Sequence, residues 1–465
     1  MGRITASALA AMLGEVDPRQ PAYRWLFTTL RSLIANGRIL HGTALPSERD
    51  AVAALNLSRT TISRAYTQLR EAGYAVSRQG SGTIAQIPGG PMTGGAEPLP
   101  LGGFGPVRGS TVIDLTCAAP NAPAGMMDQY AQAVAELPAY AGTMGYYPLG
   151  IEALRQALAD YYTQRGLPTG ADQIIVTTGA LPGVAAAGRA VLGRGQVVLA
   201  ETPTYPNSLL ALKAHGARAV GVPIDSRGSN ISQMAQMLHS TGAKAMLCLP
   251  DFHNPVGTLL DDAGRKAWAQ ELDKAGAVGI VDETCVDLWL DARPQVLPMA
   301  AYSKNLITVG SASKSHWGGL RLGWIRTPRH LAGAMARARM SMDLGVPVLE
   351  QLVLKNLLNS GAALSDETRA QLRGNRDWML GQLAEYLPDW APNRPAGGLS
   401  LWCHLPAPRS TALAARLKSV LLAPGSTFAV DGHGLEHYVR LPYAQDRAEL
   451  EKAMPAIIQA WKQVA

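Results

Sequence analysis

The sequence predicts two folded units, a small α+β unit followed by a large α/β unit with a mostly parallel sheet. Three observations support this division. The chain has 465 residues, whereas a domain averages roughly 150 residues. Residues 87–112 are rich in Gly and Pro without an apolar period, which is typical of a linker. From residue 150 onward, short apolar runs alternate with helical stretches, as in a sheet covered by helices.

The composition excludes several classes of protein. The chain is 47% hydrophobic and 17% charged, which favours a large packed core over a disordered or fibrous protein. Because no apolar run of about 18 residues and no secretory signal pattern occurs, we expect a cytoplasmic protein. The cysteines have no metal-ligand spacing, so we expect free thiols and no metal site. They are Cys117, Cys248, Cys285 and Cys403.

Residues 1–85 hold most of the positive charge. They contain ten arginines, no lysine and five acidic residues, and so carry +5 of the chain's net charge of +7. A basic stretch this short indicates contact with a polyanion. Charge alone leaves open the alternative of a solvated basic surface.

The first elements of the chain are three helices and a hairpin. An apolar stripe over residues 23–35 predicts the first helix. Ser47 and Ser58 are the expected N-caps of the second and third helices. Residues 74–84 alternate and contain a glycine-rich turn, as a hairpin does. Three helices followed by a hairpin form the plan of a winged helix-turn-helix, which places its last helix in the major groove of DNA.

Polar residues on the third helix and at the hairpin tip are the candidate DNA contacts. Arginine suits bidentate contact with guanine, and threonine can meet a phosphate or a thymine methyl group. The candidates are Arg59, Thr60, Thr61, Ser63 and Arg64 on the helix, with Arg78 and Gln79 at the tip. The run LPSERDAVAALNLSRTTISRAYTQLREAGY resembles the GntR-type DNA-binding domain over about residues 20–86. That resemblance implies that Arg49 and Gly80 also lie at the DNA.

The large unit carries polar residues where its predicted strands end, which is where α/β sheets bind ligands. Free amides at the start of a helix suit a phosphate. A lysine amine, an aspartate, hydroxyls and an arginine meeting at one sheet edge are what pyridoxal 5′-phosphate requires. The residues at these positions are Gly179, Ala180, Tyr205, Asn254, Asp282, Ser311, Ser313, Lys314 and Arg321.

Residues 113–465 resemble class I aminotransferases of fold type I. The motifs that carry the resemblance are YYPLGIEALRQALADYY, VTTGA, ETPTYP, PDFHNPVGT, VDET, GSASKSHWGGLRLGW, PAGGLSLW and VRLPY. It implies a large subdomain over about 150–340. The small subdomain would comprise about 341–465 together with the segment at the start of the unit.

The resemblance also implies a role for each candidate residue. Lys314 would form the Schiff base with pyridoxal 5′-phosphate, and Asp282 would pair with the pyridine nitrogen. Asn254 would bind the phenolic oxygen, and Tyr205 would stack on the ring. Arg440 would bind the carboxylate of an amino-acid ligand. The phosphate would be held by Gly179, Ala180, Ser311, Ser313 and Arg321, with Tyr146 of a neighbouring subunit.

Three positions depart from this pattern. Many relatives carry a tyrosine two or three residues after the aspartate, where this chain has Thr284 and Cys285. Leu181 stands where a polar residue is common. These changes put in question whether the protein tunes the reactivity of the cofactor as those relatives do. Two interpretations of Cys285 stay open: its thiol is packed in the core, or it lies beside the cofactor.

A GntR-type domain joined to an aminotransferase-like domain is the plan of the MocR-type transcriptional regulators. The resemblance implies a homodimer, in some relatives with crossed-over DNA-binding domains, that binds an operator. Lys314 would sense pyridoxal 5′-phosphate, an amino-compound effector, or both. One alternative is an active aminotransferase that carries a DNA-binding domain. Another is a DNA-binding protein whose large unit is only a dimerisation scaffold, and the lysine, aspartate and arginine set argues against it.

Overall fold

The computed structural model divides into two compact units, the head and the body. The head contains the described residues up to 86 together with 122–128, and the body contains 112–121 and those from 129 onward. The structure describes residues 4–14, 16–35, 39, 43–78, 82–86, 112–225, 228–229, 231–361, 364–430 and 434–464. The expected linker at 87–112 therefore lies almost entirely outside the described residues, and the expected domain boundaries stay predictions.

The head consists of four helices and a β-hairpin. Its elements are α1 (Ala6–Leu13), α2 (Ala22–Ala35), α3 (Glu48–Leu55), α4 (Arg59–Glu71), β1 (Ala75–Arg78) and β2 (Gly82–Ala85). Helix α1 precedes the region expected to form the DNA-binding fold. It belongs to the head because Leu9 and Leu13 are buried in the same apolar core as Leu26 and Leu69.

Local hydrogen bonds fix the turn between α3 and α4. The Ser47 hydroxyl accepts from the Asp50 amide at 3.2 Å, and the Ser58 hydroxyl accepts from the Thr61 amide at 3.1 Å. Both serines cap their helices as the sequence predicts. Asn56 ends α3 with φ 50°, a left-handed conformation that asparagine tolerates. Farther along α4, the Tyr66 hydroxyl donates to the Pro46 carbonyl at 3.1 Å.

The body is built around one large sheet with strand order β4-β11-β10-β9-β8-β5-β6-β7. Within it, β11 is antiparallel to its neighbours β4 and β10, and the short β7 is antiparallel to β6. The strands of the body are β3 (Ile113–Asp114), β4 (Ile174–Thr177), β5 (Val197–Thr202), β6 (Arg218–Asp225), β7 (Gly228–Ser229), β8 (Ala245–Cys248), β9 (Val278–Asp282), β10 (Leu306–Ser311), β11 (Gly323–Arg326), β12 (Ala391–Pro392), β13 (Ser400–His404), β14 (Val420–Leu421), β15 (Ala423–Pro424) and β16 (Tyr438–Pro442).

Helices separate the strands as the alternating pattern predicts. The remaining helices, of which α5 begins within the segment 122–128 assigned to the head, are α5 (Met126–Glu136), α6 (Pro138–Ala141), α7 (Glu152–Gln164), α8 (Ala180–Val191), α9 (Pro206–Ala214), α10 (Ile231–Thr241), α11 (Asp262–Ala275), α12 (Arg329–Met340), α13 (Val348–Asn359), α14 (Asp366–Tyr386), α15 (Ser410–Arg416) and α16 (Arg447–Val464). In the described part of the chain, no helix combines the length and apolarity needed to cross a membrane.

A second sheet forms the C-terminal part of the body. Its strand order is β12-β13-β16-β15, and it packs with α14 and α16 around a separate apolar core. Strand β3 pairs in parallel with β14, which joins the segment at 113–114 to this part of the body.

Candidate cofactor-binding site and DNA interface

The candidate cofactor residues follow the carboxyl ends of the parallel strands. Gly179 is the N-cap of α8 after β4, Ala180 is the first residue of α8, Tyr205 follows β5, and Asn254 follows β8. Asp282 is the last residue of β9. Lys314 lies in a short π-helical turn (Ser313–Trp317) after β10. The parallel strands of one sheet end at the same edge, so these residues share that edge.

Asp282 is a buried carboxylate at the centre of this edge, with 6% of its surface exposed. Its Oδ1 accepts from the Thr284 amide at 2.9 Å. Burial raises the pKa of Asp282, while the Thr284 hydrogen bonds and the charges of His253 and Lys314 act in the opposite direction. A buried carboxylate with nearby cationic groups suits a partner that carries a proton, such as a protonated ring nitrogen.

Lys314 points into the same region. Its Nζ donates to the Ala118 carbonyl at 2.6 Å. Burial lowers the pKa of Lys314, and the nearby charge of Arg440 lowers it further. A lysine with a lowered pKa presents the neutral, nucleophilic amine at a lower pH than an exposed lysine does.

The turn before α8 carries groups that are suited to bind a phosphate. Gly179 has φ 106°, a conformation that favours glycine, and it precedes the free amides at the start of α8. Arg321 has φ 50°, and its Nη2 would lie 3.5 Å from a Cβ added at Gly179. Its exposed guanidinium has no acidic partner among the described residues. The Ser313 amide donates to Ser311 Oγ at 3.1 Å, which brings two hydroxyl-bearing residues together beside this turn.

Arg440 forms a second cationic position within the site. Its side chain is buried with 3% exposure, and its Nη1 donates to Asn254 Oδ1 at 3.2 Å. Its Nη2 donates to the Thr116 carbonyl, and Nε has no hydrogen-bond partner among the described residues. Burial lowers the pKa of Arg440 to about 10. A buried guanidinium with an unused donor is suited to bind a carboxylate.

The two candidate tyrosines differ in their surroundings. The half-buried Tyr205 accepts a hydrogen bond on its hydroxyl from Asn207 Nδ2 at 3.0 Å, and burial raises its pKa. Tyr146 is 65% exposed and does not join the other candidates within its own subunit. Its expected role in a neighbouring subunit, and the stacking role of Tyr205, stay predictions.

The positions that depart from the aminotransferase pattern are packed. Cys285 is half-buried against the C-terminal core, and burial raises the pKa of its thiol to about 12. Its Sγ lies 3.9 Å from Thr284 Oγ1. These contacts favour a packed thiol. Leu181 is half-buried in the first turn of α8.

The structure adds residues that sequence reasoning did not select. The carbonyls of Thr116 and Ala118 receive hydrogen bonds from Arg440 and Lys314, so the exposed Cys117 lies between the two cationic side chains. These are backbone contacts across about 200 or more residues, for which the local sequence carries no signal.

A buried histidine and glutamate pair also lies behind the site. His253 Nδ1 accepts from the Val256 amide at 3.4 Å, and its Nε2 faces Glu201 Oε2 at 3.5 Å. Glu201 also accepts from the Leu249 amide at 2.7 Å. In the sequence, the one feature that points to this pair is that His253 directly precedes the candidate residue Asn254.

In the head, the candidate DNA-binding residues have different degrees of exposure. Arg59 and Thr60 are exposed in the first turn of α4, and Arg49 is exposed in the first turn of α3. Arg64 is also exposed, but its guanidinium carbon lies 3.7 Å from the centre of the Tyr23 ring. Thr61 and Ser63 are half-buried. For Arg78 only the backbone is described, and Gln79 and Gly80 lie outside the described residues.

Two family descriptions match this chain. Residues 22–84 match bacterial regulatory proteins of the gntR family, and residues 111–457 match aminotransferase class I and II. The chain belongs to the aminotransferase class I and II family and carries a GntR-family domain. The predicted two-domain plan and both predicted folds are thereby confirmed.

Two curated transcriptional regulators are similar to this chain over nearly their whole length. The uncharacterized HTH-type transcriptional regulator YisV of Bacillus subtilis is 28% identical, covering 91% of this chain and 92% of that protein. The HTH-type transcriptional regulator TauR of Rhodobacter capsulatus is 26% identical, covering 88% of this chain and 90% of that protein.

Among solved structures, the body is similar to an aminotransferase. LysN, an alpha-aminoadipate aminotransferase of Thermus thermophilus solved with N-(5′-phosphopyridoxyl)-L-leucine, is 26% identical with a TM-score of 0.67. The match covers 76% of this chain and 92% of LysN. The chain is a GntR-type regulator fused to an aminotransferase-like domain, and this family supports pyridoxal phosphate as its cofactor.

Proposed function

We propose that this protein regulates transcription by sensing pyridoxal 5′-phosphate, an amino compound bound beside it, or both, at Lys314. The observation that carries the proposal is that Lys314 and Asp282 lie at one edge of the large sheet, with Arg440 of the second sheet beside them, in a chain that also has a GntR-type head. A DNA-binding scaffold alone does not account for the buried Asp282 and Arg440 beside the half-buried Lys314, since burying a charged group costs stability.

The residues of the site fit pyridoxal 5′-phosphate. When bound, this cofactor supplies an aldehyde that condenses with primary amines and a ring that withdraws electrons. Lys314 would hold the aldehyde carbon, because its lowered pKa makes the neutral amine available. Asp282 would hold the proton on the ring nitrogen. The turn at Gly179, together with Arg321, would hold the phosphate.

An amino compound with a carboxylate is the effector class that Arg440 would recognise. Its guanidinium is buried, has an unused Nε donor and lies next to Asn254. A carboxylate accepts two parallel hydrogen bonds from a guanidinium, which orients the molecule that carries it. Arg440 would therefore direct the amino group of the effector towards the region of Lys314.

Sensing requires that the ligand-bound and ligand-free protein differ in affinity for DNA. A ligand shifts such an equilibrium only by the difference in its own affinity for the two forms. Coupling between two sites is typically about 1–3 kcal/mol, or roughly 5- to 150-fold in affinity. We expect a change of this size in operator affinity when the site in the body is filled.

A homodimer belongs to the proposal. Two neighbouring loops of the body expose apolar side chains, with Met144 90% exposed and Leu344 59% exposed. A Cβ added at Gly345 would lie 2.6 Å from the Tyr147 carbonyl oxygen, so the two loops adjoin each other. A second copy of the chain would cover these side chains and bring its Tyr146 to the site. Two heads in one particle would favour a repeated or palindromic operator, whether or not they cross to the partner's body.

Transamination is the second candidate function. The complete set of lysine, aspartate and arginine favours it, whereas Thr284 and Cys285 provide no tyrosine hydroxyl after Asp282. Sustained conversion of amino donors and keto acids would support this candidate and contradict a purely regulatory role.

The test of the proposed function is binding to the DNA upstream of the protein's own gene. Fluorescence anisotropy would be measured with and without pyridoxal 5′-phosphate at two salt concentrations, and turnover would be assayed in parallel. We expect salt-sensitive, specific binding whose affinity changes with the cofactor. The absence of specific binding in both forms would overturn the proposal.

A further inference from the structure

A cleft on the body, outside the candidate cofactor site, is lined by positive charge. It has a volume of about 470 Å³ and is open to solvent. It lies between the C-terminal turns of α8 and α12 and the turn that follows α9. Its lining residues are Arg189, Ala190, His215, Ala334, Arg337, Ala338 and Ser341.

The cations of the cleft are available to a ligand. Arg189 and Arg337 are both exposed. Arg189 Nη1 donates to Ser341 Oγ at 3.0 Å, which leaves its other donors free of described partners. The Arg337 guanidinium has no hydrogen-bond or ion-pair partner among the described residues. His215 Nε2 donates to the Leu192 carbonyl at 3.2 Å, which holds the imidazole at the wall of the cleft.

Two paired loops extend the positive surface beyond the cleft. The Gly195 amide donates to the Gly216 carbonyl at 2.8 Å, and the Arg218 amide donates to the Gln196 carbonyl at 2.9 Å. The exposed Arg194 and Arg218 therefore adjoin His215. The surface formed by Arg189, Arg194, His215, Arg218 and Arg337 is called the basic surface below.

The basic surface differs from other arginine positions of the body. Several arginines elsewhere are paired with acids: Arg165 with Glu283 at 2.7 Å, Arg265 with Asp251 at 2.6 Å and Arg376 with Asp291 at 2.7 Å. By contrast, residues 189–197, 213–220 and 330–338 contain five Lys or Arg and no Asp or Glu. The next arginine along α12, Arg339, is buried and pairs with Asp343, so it does not belong to this surface. The whole chain is almost balanced, with 42 Lys and Arg against 35 Asp and Glu. An ordinary solvated surface would mix the two signs.

We propose that the basic surface binds phosphates of the DNA backbone, so that the body adds sequence-independent contacts to those of the head. This inference rests on the proposed DNA-binding function. Duplex DNA presents closely spaced phosphates, and exposed arginines neutralise them without reading sequence. A small anion is a poorer fit, because the cations spread over an open surface and none of the described lining residues is a buried polar side chain.

The test compares two double variants of the full-length protein. The first is Arg189→Gln with Arg337→Gln on the basic surface. The matched control is Arg329→Gln with Arg394→Gln, which removes the same charge from exposed arginines that pair with Asp172 and Asp377. The dissociation constant for operator DNA with long flanks would be measured over a range of salt concentrations, with thermal unfolding as a check on folding.

The basic-surface variant is expected to bind DNA more weakly than the control and to show a shallower salt dependence. The slope of log K against log salt changes by about 0.9 for each phosphate that the protein no longer neutralises, so two such phosphates change it by about 2. The preference for operator over unrelated DNA should stay unchanged, because backbone contacts carry no sequence information.

The possible outcomes separate this inference from the proposed function. If the unmodified protein does not bind its operator, the proposed function fails. If it binds but the two double variants have equal affinity and slope, the basic surface makes no DNA contact and the inference is wrong. Calorimetry with inorganic phosphate completes the test. Phosphate binding that is absent only in the basic-surface variant, with unchanged DNA binding, would identify a small-anion site and would also overturn the inference.

Discussion

Burial sets the chemistry of the individual residues in the body. Asp282, Lys314 and Arg440 are all ionisable, and burial shifts the pKa of each towards its neutral form. Charges of opposite sign nearby reduce this effect for Asp282 and Lys314. Perturbed groups that converge on one position are typical of functional sites.

Replacing the lysine tests the site most directly. We expect Lys314→Ala to abolish covalent attachment of pyridoxal 5′-phosphate, followed by absorbance and by mass spectrometry after borohydride reduction. The cofactor-dependent change in operator affinity should also disappear, while the fold is retained. Lys304→Ala, at an exposed lysine before β10, is the control and should behave as the unmodified protein. A cofactor response that survives in Lys314→Ala would show that the site is assigned wrongly.

The lowered pKa of Lys314 predicts how cofactor attachment depends on pH. The neutral amine reacts with an aldehyde, so the attachment rate should rise with pH as Lys314 loses its proton. Because burial lowers that pKa, the half-maximal rate should fall below the value of about 10.4 for an unperturbed lysine. Stopped-flow absorbance between about pH 6 and pH 11 would measure it, with Nα-acetyl-lysine as the reference. A midpoint equal to that of the reference would contradict this prediction.

At the scale of elements, helix starts and tight loops position both candidate sites. Helix α4 presents Arg59 and Thr60 at its exposed N-terminal turn because Ser58 caps it. In the body, the turn before α8 is held against β11. A Cβ added at Gly323 would lie 2.5 Å from the carbonyl carbon of Gly179 and 2.8 Å from the Ala180 nitrogen.

Arg59→Ala tests the role of α4. If Arg59 contacts a base edge, its loss should cost about 1–3 kcal/mol in operator binding and relax specificity at one position. Anisotropy with the operator and with single-base variants would measure both effects. Arg70→Ala, near the other end of α4, is the control and should change affinity much less. Equal affinities for the unmodified protein and Arg59→Ala would remove Arg59 from the candidate contacts.

Gly323→Ala tests the turn before α8. The added methyl group meets the backbone of Gly179 and Ala180, so the strand and the turn must separate, at a cost of roughly 1–3 kcal/mol. We expect a lower unfolding temperature of the body and weaker retention of pyridoxal 5′-phosphate. Gly374→Ala in α14 meets no atom within 4 Å and should be neutral or stabilising, since alanine favours a helix. Unchanged cofactor binding in Gly323→Ala would contradict the role given to this turn.

At the scale of the whole molecule, the exposed apolar loops and the two-domain plan predict a dimeric regulator. Soluble monomers rarely expose large contiguous apolar patches, and Met144 is 90% exposed beside Tyr146. A dimer would place two basic heads on one particle and would raise DNA affinity by linking the two binding events. It would also bring a residue from each subunit to the other's cofactor site.

Sedimentation equilibrium tests the dimer. We expect a mass of twice the chain mass of 49.2 kDa. Met144→Lys should shift the protein towards the monomer, because a lysine amine resists transfer from water into an apolar interface. Val134→Lys introduces the same charge at another exposed apolar residue, on α5, and its mass would be compared with that of Met144→Lys. A monomeric mass for the unmodified protein would contradict both the dimer and the role expected for Tyr146.

The elements of this protein, and the chemistry that they carry, follow from local features of the sequence. Apolar periodicity and caps such as Ser47 and Ser58 are local, because each depends on residues within one or two turns. The order of strand, turn and functional residue is equally readable, because a residue that follows a parallel strand lies at a known edge of the sheet. Lys314 and Asp282 are therefore recognisable as candidates from their positions in the sequence alone.

Which residues meet, and how deeply they are buried, depends on the packing of the whole chain. Arg440 reaches Asn254 and the Thr116 carbonyl across 186 and 324 positions of sequence. Arg64 stacks on Tyr23, and the basic surface gathers three separate segments. These pairings depend on how the helices pack against the sheets. The depth of burial depends on how completely that packing excludes water. Sequence periodicity indicates which face of an element is buried, but it does not indicate what that face meets.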